Sequence, residues 1–83
     1  MNLTWLPSGW KHYVSWEDDK KMTRRINAII KDILRDPFDG TGKAEPLKHN
    51  LAGWWSRRID DKNRILYRVE NDAVIIAQCR GHY

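Results

Sequence analysis

The sequence predicts an α+β domain, 1–83, in which two N-terminal helices pack on one face of a small antiparallel β-sheet, in the order β-α-α-β-β-β. Three observations lead there. Met22, Ile26, Ile29, Ile30, Ile33 and Leu34 recur at helical spacing. From Leu47 onward the apolar residues change to period two. Between the two patterns lies DPFDGTGKAEP, whose glycines and prolines suit neither helix nor strand.

The elements follow in order. MNLTWL alternates as a short strand, and Pro7-Ser8-Gly9 ends it. Ser8 is placed to cap a helix from about Gly9 to Trp16, with Trp10, Tyr13 and Val14 along one face. EDDK reads as a turn leading into a second helix, with Asp18 or Asp19 as its cap and carboxylates at the positive end of the helix dipole. Lys20, Lys21, Arg24, Arg25, Asn27 and Lys31 form that helix's polar outer face. Asp36-Pro37 stops it, because a residue before proline avoids the helical region. WWSRRI, RILYRVE and AVIIAQCR then read as three strands joined by DDKN and END turns. Alternation puts Ile65, Tyr67 and Val69 on one face and Arg64, Leu66 and Arg68 on the other.

Composition narrows the class. At 83 residues a single core is only marginally large enough, and a composition 41% hydrophobic with five tryptophans is that of a compact fold. Fifteen Lys and Arg against eleven Asp and Glu leave +4, which favours polyanionic or acidic partners. The basic residues gather toward the C-terminal half, in KHN (48–50), SRR (56–58), Lys62, Arg64, Arg68 and Arg80. One cysteine, Cys79, excludes an internal disulfide framework and suits a reducing cytoplasm. The N-terminus lacks the apolar run of a secretory signal, and no run approaches membrane-spanning length. His12, His49 and His82 lack metal-ligand spacing, so no metal site is expected. No nucleophile elbow is present.

Metal-free cleavage of RNA needs a base for the 2′-hydroxyl, an acid for the departing 5′-oxygen and fixed cations at the phosphoryl oxygens. Glu45, His82 and the sheet arginines supply one candidate for each role. Singly, each has a plainer reading: a solvated loop carboxylate, a frayed end, solubilising charge. The expectation for the end is that AVIIAQCR pairs with RILYRV and comes to the surface that carries Arg64. Gly81 would let the backbone turn there and aim His82 and Tyr83 at bound RNA.

The whole chain, and above all EPLKHNL-x-G-x-WSRRI, R-x-LYRV and the closing CR-x-HY, resembles the YoeB-type toxins of the RelE superfamily. The resemblance implies a RelE-like fold and a ribosome-dependent mRNA endonuclease that inhibits translation in the cytoplasm. Carried over by position, it makes Glu45 the general base, Arg64 the transition-state cation and His82 the general acid, with Tyr83 positioning the RNA. Lys48 and Arg58 match phosphate-holding residues, and His49 and Arg57 are assigned to ribosomal RNA or surface contact. The implied partners are the ribosome, mRNA and a YefM-type antitoxin whose binding segment is acidic; a homodimer is compatible with the resemblance. No metal and no organic cofactor is implied.

The chain departs from the family pattern in four places. Ala44 stands where proline is usual, Lys62 where an acid is usual, and Asn63 where a histidine commonly precedes the site arginine. EDDK is a residue shorter than in close relatives. Two further readings stay open: a toxin of the same fold that acts by binding, for example on gyrase, and a basic ribosome-binding protein. A mere binder would have no reason to assemble Glu45, Arg64, His82 and Tyr83.

Overall fold

The structure, a computed structural model, describes residues 1–82. These residues form two α-helices and a five-stranded sheet: β1 (Asn2–Trp5), α1 (Pro7–Ser15), α2 (Lys20–Arg35), β2 (Glu45–Pro46), β3 (Trp55–Arg58), β4 (Arg64–Glu70) and β5 (Ala73–Gln78). Across the sheet the strands run β1-β5-β4-β3-β2. The α+β class is as expected, with one correction to the sheet. It is mixed, because β1 lies parallel to β5 while the other pairs are antiparallel. The two helices carry the chain across to the far edge, where β2 enters antiparallel to β1, and the β2–β5 meander then brings β5 back beside β1 in the same direction, which a tight hairpin cannot do. Glu45–Pro46 adds a short edge strand where the sequence reading had only loop.

The second helix is built as its stripe dictates. Met22, Ile26, Ile29, Ile30 and Ile33 are buried, and the Asp19 side chain accepts from the Met22 backbone N–H at 3.0 Å. Of the two candidate caps, Asp19 does the work. The five buried residues of α2 meet Ile65 and Tyr67 of β4, Val74 and Ile76 of β5, and Ile59 and Cys79 in one core. The first helix begins earlier than expected, at Pro7, whose ring presets the first helical turn and whose missing N–H costs nothing there. Ser8 is therefore no cap. Its hydroxyl donates to the Ala77 carbonyl of β5 at 2.7 Å, tying α1 to the sheet.

The β4–β5 hairpin turns on Asn71 and Asp72, both at positive φ (51° and 60°), the backbone that a two-residue turn of matching twist requires. Tyr67 pairs with Ile76 and Leu66 with Gln78, so Ala77 is an extra residue on β5. Beyond it α1 and its exit hold the strand end. The Cys79 N–H donates to His12 Nδ1 at 3.3 Å, and Trp16 Nε1 donates to the Cys79 carbonyl at 3.0 Å. The Cys79 thiol is fully buried, and burial pushes its pKa up to about 12, so it packs rather than reacts. Among the described residues no helix is long and apolar enough to cross a membrane.

Candidate active site

Strand alternation decides which side chains meet. On β3, Ser56 and Arg58 share one face while Trp55 and Arg57 share the other. Glu45 lies opposite Ser56 and Arg58 opposite Arg64. The outcome is a polar pocket of about 70 Å³ lined by Gly42, Lys43, Glu45, Ser56, Arg58 and Arg64. Three residues expected at a site from the sequence, Glu45, Arg58 and Arg64, thus line one small cleft.

The loop that carries Glu45 is held at both ends. The Arg58 backbone N–H donates to the Gly42 carbonyl at 2.6 Å. Gly42 has φ 82°, and a Cβ there would come within 2.6 Å of the Arg58 carbonyl oxygen, so glycine is needed for this close approach. Beyond Pro46, the Leu47 N–H donates to the Trp54 carbonyl at 2.9 Å and closes the excursion that carries Lys48 and His49.

Arg57 is a correction. Its assignment to RNA or surface contact fails, because it is 0% exposed and points away from the pocket side of β3. Its Nε donates to the Tyr67 hydroxyl (3.0 Å) and its Nη1 to Asp32 Oδ2 and the Thr41 carbonyl (both 2.8 Å). Its Nη2 donates to the carbonyls of Asp36 (2.7 Å) and Asp39 (3.3 Å). A planar five-donor head matched to so many acceptors staples the 36–41 loop onto α2 and β4. The Arg57 guanidinium, the Thr41 amide and Arg35 hold the Asp32 carboxyl down to about 2. Tyr67 completes the staple by donating its hydroxyl to the Pro37 carbonyl at 2.6 Å.

The other side of the pocket is the β3–β4 turn. Arg64 Nη1 donates to the carbonyls of Asp60 (2.8 Å) and Asn63 (3.2 Å), which fixes the direction of the guanidinium. The Arg64 backbone N–H donates to the Gly81 carbonyl at 3.1 Å, and the Gly81 N–H donates to Asn63 Oδ1 at 2.7 Å. Gly81 sits at φ 78°, a conformation that side chains disfavour. The segment leading to the exposed His82 is therefore tied beside Arg64. Tyr83, the fourth expected catalytic residue, lies outside the described residues.

Lys48 and His49 are exposed on the turn at 48–51 and do not line the pocket. Three pocket residues escaped the sequence reading, Gly42, Lys43 and Ser56. For Ser56 the signal was period-two spacing, two residues before Arg58 on β3, whereas Lys43 lies in the loop at φ 57°, where strand alternation does not apply. Cations around one carboxylate can bind a phosphodiester and leave a base beside it, the arrangement that phosphoryl chemistry with fixed charges requires.

Comparison with known proteins supports a kinship along the full chain. A family described as the YoeB-like toxin of bacterial type II toxin-antitoxin systems matches residues 5–83. Toxin YoeB of Streptomyces coelicolor is 54% identical over 84 aligned positions that span all of both chains. A YoeB/ParE toxin structure from Agrobacterium tumefaciens superposes with a TM-score of 0.95 at 43% identity, covering all of both chains. YoeB of Staphylococcus aureus, solved with YefM and also as a dimer, superposes at 0.89 with 38% identity, over 100% of this chain and 98% of that one.

Proposed function

The chain belongs to the YoeB-like toxins of bacterial type II toxin–antitoxin systems, and from that premise we propose that it is a metal-independent endoribonuclease that cuts mRNA in the ribosomal A site. The observation that carries the reading is the convergence of Glu45, Arg58 and Arg64 on one pocket, with the strand end leading to His82 tied to the backbone of Arg64.

In this reading Glu45 removes the 2′-hydroxyl proton, and the freed oxygen attacks the adjacent phosphorus. The O2′–P bond forms as the P–O5′ bond breaks. Arg64 and Arg58 balance the charge that grows on the non-bridging oxygens, and His82 protonates the departing 5′-oxygen. Tyr83 stacks on a neighbouring base. The products carry a 5′-hydroxyl and a 2′,3′-cyclic phosphate. Lys48 and His49, outside the pocket, contact more distant phosphates. The pocket is a small open cleft and the domain has little other surface for gripping RNA, so alignment of the nucleotide by a second body suits it. The ribosome is that body.

The partner is a YefM-type antitoxin, in line with the S. aureus complex. Its acidic segment folds as it binds and covers the basic surface. A homodimer, like that of the S. aureus protein, is a further assembly of the chain, which works in the cytoplasm.

Mapping both ends of the fragments from an mRNA incubated with and without ribosomes, using wild type and His82→Ala, tests the reading. At catalytic protein concentrations the wild type should cut within the A-site codon much faster when ribosomes are present, and the variant should not. Binding without cleavage would overturn it in favour of a toxin that acts by occupancy.

A further inference from the structure

The β3–β4 turn contains a residue to which the mechanism assigns no task. Asn63 stands between a group that can only accept and a group that can only donate. Asp60 Oδ1 accepts from the backbone N–H of Lys62 (2.9 Å) and of Asn63 (2.8 Å), and both carboxylate oxygens accept from Asn63 Nδ2 (2.9 and 3.2 Å). An ionised carboxylate offers no proton, so the amide nitrogen must face Asp60 and the amide oxygen must face away. That oxygen accepts from the Gly81 N–H at 2.7 Å. Burial works against the charge on Asp60, yet the Lys62 and Asn63 hydrogen bonds outweigh it and hold its pKa below the ordinary carboxylate value.

The backbone of Asn63 is engaged as fully. Its carbonyl accepts from the N–H groups of Ile59 (3.0 Å) and Asp60 (3.3 Å) and from Arg64 Nη1 (3.2 Å). One residue therefore touches both halves of the site: the guanidinium of Arg64, and the peptide that joins Arg80 to Gly81 one residue before His82.

We infer that Asn63 is a positioning residue, an amide clamp that holds the chain leading to His82 against Arg64 through Asp60–Asn63–Gly81 contacts. The inference rests on the roles of His82 and Arg64 proposed above. Together with the Arg64 N–H on the Gly81 carbonyl, this bond fixes both polar groups of the residue before His82 against the start of β4. Misplacement by about 1 Å costs an enzyme up to roughly 10²-fold in rate. The amide is also hard to replace. Aspartate would keep the acceptor for Gly81 but would set two carboxylates side by side, and an apolar residue would leave both partners without their bond.

The charge arrangement can be reversed, which supplies the test. In Asp60→Asn/Asn63→Asp, the new carboxylate accepts from Gly81 and the new amide donates to it from position 60. Single-turnover cleavage on mRNA-programmed ribosomes, normalised to the folded fraction, should be at least about tenfold slower for Asn63→Ala and for Asn63→Asp at saturating ribosomes. The ribosome concentration at half-saturation should not move. The double variant should return to within about threefold of wild type, a rescue that a merely structural turn residue would not show. Hydrogen exchange at the Gly81 amide, read on the free protein, should accelerate at least about tenfold in Asn63→Ala. An Asn63→Ala variant that cleaves at the wild-type rate, a shift in half-saturation alone, unchanged Gly81 exchange, or a double variant as slow as the single ones would each overturn the clamp. A wild type that leaves the programmed mRNA intact would instead overturn the nuclease reading and the positioning role with it, while the Gly81 exchange still reports whether the clamp exists.

Discussion

Adjacent arginines on β3 should respond in opposite ways to the same substitution. Arg57→Met removes a fully buried guanidinium that donates to Asp32, to Tyr67 and to the carbonyls of Asp36, Asp39 and Thr41. Breaking a buried ion pair costs about 3–5 kcal/mol when the remaining charge is stranded. Asp32 is not wholly stranded, since it keeps the Thr41 N–H at 2.9 Å and Arg35 at 3.0 Å, and its side chain is 19% exposed. The low end, about 3 kcal/mol, is therefore the expected loss. A chain of 83 residues unfolding with about 2.1 cal/mol/K per residue loses about 6 °C of Tm per kcal/mol, so the variant should melt about 15–20 °C lower. Arg58→Met changes an exposed residue one position away and should shift Tm by no more than about 3 °C, while slowing cleavage roughly 10²-fold. Calorimetry and single-turnover cleavage on programmed ribosomes measure both. If Arg57→Met melted within about 3 °C of wild type, the buried staple would be inconsequential and the reasoning from burial wrong.

Other outcomes follow from the same contacts. Glu45→Gln and Arg64→Ala should each keep stability within about 1 kcal/mol by thermal melting, yet slow cleavage at least about 10²-fold; a variant that unfolds or cleaves normally would contradict its role. Asp32 has a folded-state pKa of about 2, below its ordinary 3.8. Its contribution to stability is thus complete above about pH 4 and disappears as pH falls toward 2, so urea midpoints of the wild type should drop more steeply over that range than those of Asp32→Asn. Parallel pH curves would show the pairing to be unimportant. Concentrated protein should still cut a minimal RNA in excess EDTA, and complete loss of cutting there would show a metal requirement.

The parts of the fold governed by local pattern could be read from the residues. The isoleucine stripe of α2 and the alternation of β4 needed no partner to be recognised, because each period reports a single buried face. Pairing of β1 with β5 was not legible, since Asn2 meets Ala73 across most of the chain and no local signal encodes direction. Ser8 resembled a cap, but Pro7 already set the first turn, and the hydroxyl went to Ala77. In WSRRI the clue to Arg57 was present: it alternates with Trp55 and Ile59, both apolar, which marks its face as the inner one. Sequence alone still could not supply Asp32, three residues after Ile29 on the edge of the helical stripe, as the partner that makes a buried arginine tolerable. Glu45 and Arg64 were placed by resemblance, and the structure adds Lys43 and Ser56 at the same pocket and the Asn63 link to Gly81.

In the proposed mechanism Glu45 and His82 act as base and acid on one phosphodiester, and a change of leaving group separates the two tasks. In an mRNA whose scissile 5′-oxygen is replaced by sulfur, the departing thiolate needs no proton. His82→Ala should then cleave nearly as fast as wild type on ribosomes, whereas Glu45→Gln should remain slow because the 2′-hydroxyl still needs a base. A His82→Ala variant as defective on the sulfur substrate as on the oxygen one would contradict the role of His82 as general acid.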